Sequence, residues 1–284
     1  VSGPFAIRPI AGALGAEIIG LDLARPLGNE AAAALDRAFA QHLVLVFRGQ
    51  RLGPEELKGF SRRFGPLSRV PYVKPLDDHP EIIAVLKEAD ERGISVFGGA
   101  WHSDFSFLPE PPLGSALYAL EVPPHGGDTL FANQYAAYET LSPGMRRLLD
   151  GLKAVHTGAP YGTRGIDPAL KTSRSIVIER NRPEADAEVA HPVVRTHPVT
   201  GRKALFVNAI YTTRFADMTE AESRPLLDFL FAHATRPELT CRLHWTPGML
   251  ALWDNRCTQH YAINDYDGSR RLMHRTTIAG ERPA

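Results

Sequence analysis

Trp101-His102-Ser103-Asp104 puts an imidazole and a carboxylate two positions apart, and in an extended segment alternation aims both side chains at one face. A third donor comes from far along the chain, in Trp253-Asp254-Asn255-Arg256-Cys257-Thr258-Gln259-His260, where His260 follows a short apolar run. Two histidines and one carboxylate on one face, with the opposite positions open, form the donor set of non-haem Fe(II) oxygenases. A lone H-x-D decides nothing, because it is commonly a solvated pair, and the similar His79-Pro80-Glu81 reads as a turn.

The run Arg270-Arg271-Leu272-Met273-His274-Arg275-Thr276-Thr277-Ile278 adds weight. Read as a strand, it places Arg271, Met273 and Arg275 on one face and Leu272, His274 and Thr276 on the other. Two guanidinium groups on a buried face are costly without anions, and a bidentate carboxylate would satisfy such a fork. A dicarboxylate co-substrate meets that need; an exposed edge paired with surface acids is the alternative. His125-Gly126-Gly127-Asp128-Thr129 has the glycine content of a tight turn, with a Thr129 hydroxyl able to point at a ligand carboxylate. Neither G-x-x-x-x-G-K nor a helix-opening G-x-G-x-x-G occurs, so a nucleotide cofactor is unsupported.

Composition narrows the partners. Lys plus Arg and Asp plus Glu are 32 each, which leaves no basic field to recruit nucleic acid or an anionic membrane. A small molecule is the expected partner. Residues 1–5 lack the charged and apolar regions of a secretory signal and no apolar run approaches a membrane span, so the cytoplasm is the expected setting. Cys241 and Cys257 are too few for a disulfide framework or a thiolate zinc site and are expected in the core. A metal here must use imidazole and carboxylate donors.

The elements that would position these groups are legible from pattern. Runs at 43–47, 82–86, 116–120, 204–207 and 249–253 are short, apolar and bounded by turn formers, as buried strands are. Helices are expected over 29–42, from Pro54 to about Phe64, and from Ser142 to about Leu152. Thr219-Glu220-Ala221-Glu222 has the capping-box pattern before the stripe Leu226, Leu227, Leu230 and Phe231, although Pro225 leaves Ser223 as a second possible cap. Many strands with irregularly spaced helices fit a mainly β sandwich or jelly roll flanked by helices, in one domain over 1–284. Segments 87–100 and 159–190 read as long loops, and long loops in a compact domain are often lids.

Taken together, these stretches resemble the taurine dioxygenase / 2,4-D dioxygenase (TauD/TfdA) family of Fe(II)- and 2-oxoglutarate-dependent enzymes, across nearly the whole chain. They are Gly15-Ala16-Glu17-Ile18, 101–104, His125 to Leu130, His191-Pro192-Val193-Val194-Arg195-Thr196-His197-Pro198, and 253–262 on to Arg271 and Arg275. The resemblance implies a double-stranded β-helix, the cupin-like jelly roll, with iron on His102, Asp104 and His260. It also implies 2-oxoglutarate chelating the metal, its distal carboxylate on Arg271 and Thr129, and Arg275 near the C1 carboxylate or the substrate anion. The implied reaction couples oxidative decarboxylation to succinate and CO2 with hydroxylation of a C–H bond by O2. Dimers or tetramers are implied as well.

The taurine-specific members of the family carry a pocket His and Asn where this chain has Val70 and Gly98. The resemblance therefore implies a roomier, more apolar pocket, with Tyr211 as a wall and Tyr72 and Phe107 adding surface. An anionic substrate with a larger apolar group is expected: a sulfonate, an alkyl sulfate or an aryloxyalkanoate, with C–S or C–O cleavage following hydroxylation. The rival readings are a strict taurine dioxygenase, a silent jelly-roll binding module, and a hydrolytic zinc enzyme, for which no H-E-x-x-H helix is present.

Overall fold

The computed structural model describes residues 3–163 and 173–284. In chain order the elements are β1 (Ala6–Pro9), β2 (Ala16–Ile19), α1 (Asn29–His42), β3 (Val44–Phe47), α2 (Pro54–Arg62), β4 (Leu67–Ser68), β5 (Ile82–Lys87), β6 (Gly114–Glu121) and β7 (Thr129–Asn133). There follow α3 (Gln134–Glu139), α4 (Pro143–Leu149), β8 (Lys153–His156), β9 (Val189–Pro192), β10 (Val194–Thr196), β11 (Lys203–Leu205) and β12 (Thr212–Phe215). The chain closes with α5 (Glu220–Ala234), β13 (Thr240–Leu243), β14 (Leu250–Asp254), β15 (Thr258–Ala262) and β16 (Arg271–Ile278).

The main sheet has eight strands in the order β1-β2-β3-β14-β6-β16-β4, with β5 joined through β16. A second sheet, β13-β7-β15, lies across from it. Between the two sit Val44, Val46, Leu117, Ala119, Ala251, Trp253 and Met273 from the main sheet and Phe131, Cys241 and Leu243 from the second. The alternate residues of the same strands, Leu45, Phe47, Ala116, Tyr118, Leu250 and Leu252, pack instead on Leu35, Phe39, Leu57 and Phe60 of α1 and α2. This two-sided burial is why β3, β6 and β14 read as unbroken apolar runs rather than alternating ones. The two facing sheets form the jelly roll expected from the sequence, and both cysteines are buried and free as expected.

The helices follow their local signals. Ser142 caps α4 by accepting from the Met145 N–H at 3.2 Å. For α5 the capping box at Thr219 prevails over Ser223: the Glu222 carboxylate accepts from the Thr219 N–H at 2.8 Å and the Thr219 hydroxyl from the Glu222 N–H at 3.2 Å. The run at 204–207 makes a shorter strand than expected. β11 stops at Leu205, because Asn208 takes the Ile210 and Tyr211 N–H groups into a turn at 3.2 and 3.0 Å. His79 lies in the expected turn, its N–H donating to the Leu76 carbonyl at 3.2 Å.

The two long loops are joined to each other. Residues 164–172 of the second lie outside the described residues, but its continuation runs beside the first. Glu91, 3% exposed, accepts from the Ser173 hydroxyl at 3.0 Å, the Ser175 hydroxyl at 2.7 Å, the Ser175 N–H at 3.2 Å, the Glu88 N–H at 2.9 Å and the Arg174 N–H. Burial raises its pKa, but the hydrogen bonds from Ser175, Glu88, Arg174 and Ser173 outweigh this and bring it down to about 2. A folded pKa below the unfolded one stabilises above the ordinary carboxyl value, and that stabilisation is lost as pH falls toward about 2. Glu91→Gln is therefore expected to cost about 1–3 kcal/mol at neutral pH, to flatten the loss of thermal stability in acid, and to speed proteolysis within 88–100 and 173–190. Thermal unfolding across that acid range, with limited proteolysis, checks it; identical acid profiles would remove the clasp from the account.

Candidate active site

His102 and His260 are brought together by the backbone before any side chain acts. They form an isolated antiparallel bridge, the His102 N–H donating to the His260 carbonyl at 3.1 Å and the His260 N–H to the His102 carbonyl at 2.8 Å. The segment 102–104 is not a full strand, contrary to the alternation argument. Ser103 donates its hydroxyl to the Thr258 carbonyl at 2.7 Å, and the chain turns at once, with Phe105 at φ 46 and the Leu108 N–H on the Phe105 carbonyl at 2.9 Å. Asp104 still reaches the histidines, because the turn folds its carboxylate back toward them.

Asp104 Oδ1 stands 3.6 Å from His102 Nε2 and 3.6 Å from His260 Nε2, beyond hydrogen-bond range. The three ligand atoms lie within 4.8 Å of one another in a buried cluster. Donors about 2.0–2.2 Å from a common ion are at most about 4.4 Å apart, so spacings of 3.6 Å suit one bridging metal. His102 Nδ1 donates to the Ala100 carbonyl at 2.7 Å, which leaves the Nε2 lone pair for a metal. Burial, reinforced by His102, holds the His260 imidazole neutral far below the usual histidine range. Burial also raises the Asp104 pKa, but Arg275 and the two histidines overcome it and keep the group ionised. These are the protonation states a metal requires.

A second group, His197, Asp254 and Cys257, has similar spacing but no capacity to spare. Asp254 already takes Arg256 at 2.9 and 2.7 Å and His197 at 3.0 Å, and burial pushes the Cys257 thiol well up. It is an internal ion-pair network.

Beside the first cluster is a cavity lined by His102, His260, Thr129, Arg271, Arg275 and Gly98, with Val85, Phe97, Leu117, Trp253 and Ala262. Arg271, Met273 and Arg275 project to this interior from β16, as alternation required. Arg271 is 5% exposed, its Nε has no hydrogen-bond partner, and no carboxylate among the described residues pairs with it. Asp128, whose charge reaches it, is occupied by Arg242 at 2.5 Å and His244 at 2.9 Å. Such an uncompensated buried cation fits an incoming anion. Thr129 accepts from Trp245 Nε1 at 3.0 Å, so its own O–H remains to donate. Gly127, at φ 67, leaves room for the Arg271 stem, since a Cβ there would stand 3.3 Å from Arg271 Cδ.

Arg275 is already engaged: its Nη2 lies 2.6 Å from Asp104 Oδ2 and 2.9 Å from the Ser115 hydroxyl. Val70, Phe107 and Tyr211 share one apolar cluster with Phe105 and Tyr161, and Tyr72 packs against it. Tyr211 stands with its ring 6.3 Å from that of His102, and Phe107 is 5.1 Å from Tyr211. Gly98, at φ 79, borders the His102–Asp104–His260 cluster directly; a Cβ there would lie 3.4 Å from His102 Cε1. Tyr161, stacked on Tyr72 at 5.3 Å with its hydroxyl 3.4 Å from that of Tyr211, was not expected from the sequence. Neither were Phe105, Trp245 and Ser115, whose roles depend on packing between distant segments.

A jelly roll with two histidines and one carboxylate converging in its interior is the architecture of a mononuclear non-haem iron oxygenase. The family model "Taurine catabolism dioxygenase TauD, TfdA family" matches residues 6–277, and the chain belongs to this family. The chain is 36% identical over 281 residues to the alpha-ketoglutarate-dependent sulfate ester dioxygenase of Pseudomonas putida, covering 98% of this chain and 90% of that one. It is 34% identical over 278 residues to the alpha-ketoglutarate-dependent 2,4-dichlorophenoxyacetate dioxygenase of Cupriavidus pinatubonensis, covering 91% and 92%. The crystal structure of a taurine dioxygenase from Burkholderia xenovorans superposes with a TM-score of 0.81 at 33% identity, covering 99% of this chain and 92% of that one. The protein is thus a 2-oxoglutarate-dependent dioxygenase, an enzyme class that works with Fe(II), 2-oxoglutarate and O2. Among the described residues no helix is long and apolar enough to cross a membrane.

Proposed function

We propose that the chain is one catalytic domain in which His102, Asp104 and His260 hold Fe(II). In this reading Arg271 and Thr129 take the distal carboxylate of 2-oxoglutarate, and Arg275 meets its C1 carboxylate or the anionic group of the substrate. The substrate is an alkyl sulfate ester, oxidised at the carbon that bears the ester oxygen. The observation that carries the substrate reading is the packing of Val70, Tyr72, Phe107, Tyr161 and Tyr211 into one apolar cluster beside His102, in which the polar groups are phenols. Burial raises the Tyr161 phenol to about 12 and lifts that of Tyr211 well above the usual phenol range, so both stay neutral and the pair can donate a hydrogen bond without repelling an anion.

When bound, the iron with 2-oxoglutarate and O2 supplies the oxidant that replaces C–H by C–OH. The protein's part is to seat the co-substrate on Arg271, to orient the apolar chain between the aromatic rings, and to exclude water. A carbon bearing both hydroxyl and sulfate ester collapses to an aldehyde and hydrogen sulfate, so each turnover consumes one O2 and one 2-oxoglutarate and yields succinate and CO2. The similarity to the Pseudomonas putida sulfate ester enzyme supports this choice, and that to the 2,4-dichlorophenoxyacetate enzyme keeps aryloxyalkanoates as the nearest rival. Other sulfonates, taurine included, come next. A cytoplasmic setting, expected from the sequence pattern, and a dimer or tetramer, implied by the family resemblance, complete the proposal.

The test is substrate-stimulated succinate formation across medium-chain alkyl sulfates, alkyl sulfonates, taurine and aryloxyalkanoates, with sulfate, sulfite or phenol measured alongside. Alkyl sulfates should stimulate most and release sulfate in step with succinate. Strongest stimulation by taurine or by an aryloxyalkanoate would replace the substrate assignment, leaving the reaction class in place.

A further inference from the structure

Ser115 lies on β6 in register with Trp253 of β14 and Thr277 of β16, and has the same parity as Leu117 and Ala119, which face the space between the sheets. Its side chain is fully buried and points into the site. The hydroxyl donates to Asp104 Oδ2 at 3.0 Å and accepts from Arg275 Nη2 at 2.9 Å, while that same nitrogen lies 2.6 Å from Oδ2. The two carboxylate oxygens of Asp104 are thereby made unequal. Oδ2 is held by a hydroxyl and a guanidinium, whereas Oδ1 faces the two imidazole nitrogens at 3.6 Å.

We propose that Ser115 is a positioning residue that fixes Asp104 as a one-oxygen metal ligand through Oδ1 and keeps Arg275 docked on the other oxygen. The proposal rests on the assignment of His102, Asp104 and His260 as the metal site. One hydroxyl satisfies both of its hydrogen-bonding roles here, as donor to the ligand and acceptor from the cation, which alanine cannot do. Without it Oδ2 is held by Arg275 alone, one of the two restraints on rotation of the carboxylate about its last bond is lost, and Arg275 loses a neutral partner that fixes its place. Outer hydrogen bonds of this kind typically change metal affinity by about 10–100-fold.

The experiment uses Co(II) as the probe, with the full chain, and measures affinity by chelator competition, the visible ligand-field spectrum, and thermal unfolding of the metal-free protein. Ser115→Ala is expected to weaken Co(II) binding by about 10–100-fold and to alter the spectrum, with the metal-free unfolding temperature little changed. Ser115→Thr, which keeps the hydroxyl, should recover most of the affinity. Wild-type affinity and spectrum in Ser115→Ala would overturn the proposal, and so would an affinity loss matched by an equal loss of metal-free stability, since that marks a merely structural residue. His102→Ala is the control: if it binds Co(II) like the wild type, the metal-site assignment itself fails and the role of Ser115 goes with it.

Discussion

Arg271→Met is expected to raise the 2-oxoglutarate concentration needed for half-maximal binding by on the order of 10²–10³-fold, about 3–4 kcal/mol, while metal binding persists. The guanidinium is buried, its Nε lacks a partner, and no acid among the described residues neutralises it. In the ligand-free protein such a charge is a cost, because desolvation is not repaid by a counter-ion. The same substitution should therefore leave the metal-free, co-substrate-free protein as stable as the wild type or more so. Affinity and stability moving in opposite directions mark a residue kept for its ligand rather than for the fold. Equilibrium binding of 2-oxoglutarate under anaerobic conditions, beside thermal unfolding of the apo-protein, measures both. Unchanged affinity would separate Arg271 from the co-substrate.

The second large effect is at Asp104. Asp104→Ala should abolish metal-dependent turnover and destabilise the apo-protein by about 3–5 kcal/mol, because it leaves the Arg275 guanidinium buried with Ser115 as its remaining hydrogen-bond partner. Asp104→Asn keeps an oxygen for Ser115 and Arg275 and should lose less stability while still losing activity. Combining Asp104→Ala with Arg275→Met removes both charges and should recover much of the stability, none of the activity. Urea unfolding of the three variants beside the wild type tests this ordering. Equal stability of Asp104→Ala and wild type would mean that the Asp104–Arg275 pair does not hold the site in the apo state.

Much of this was legible in the sequence because it rests on local rules. The unbroken apolar runs of β3, β6 and β14 mark strands buried on both faces, the capping box starts α5 where its residues dictate, and alternation along β16 places Arg271 and Arg275 on the interior face. The convergence of His102, Asp104 and His260 was inferred from donor types, but the route differs. A single backbone bridge and a tight turn at Phe105 bring Asp104 round, where alternation would need an extended segment. What pattern could not reveal is pairing between segments distant in sequence. Ser115 sits at the edge of an apolar run and looks like a strand residue until Asp104 and Arg275 close on it. Tyr161 lies in a stretch read as loop, and only the stacking on Tyr72 and the approach to Tyr211 make it part of the apolar cluster.

The central claim is that this metal cluster and Arg271 together form a site that turns over 2-oxoglutarate. Its most direct test is succinate formation under O2 by anaerobically Fe(II)-loaded wild type, His102→Ala and Arg271→Met, each over a range of 2-oxoglutarate concentrations and with an alkyl sulfate present. The account predicts succinate from the wild type, none from His102→Ala at any concentration, and partial recovery in Arg271→Met only at high 2-oxoglutarate. Succinate formation by His102→Ala at the wild-type rate would contradict it.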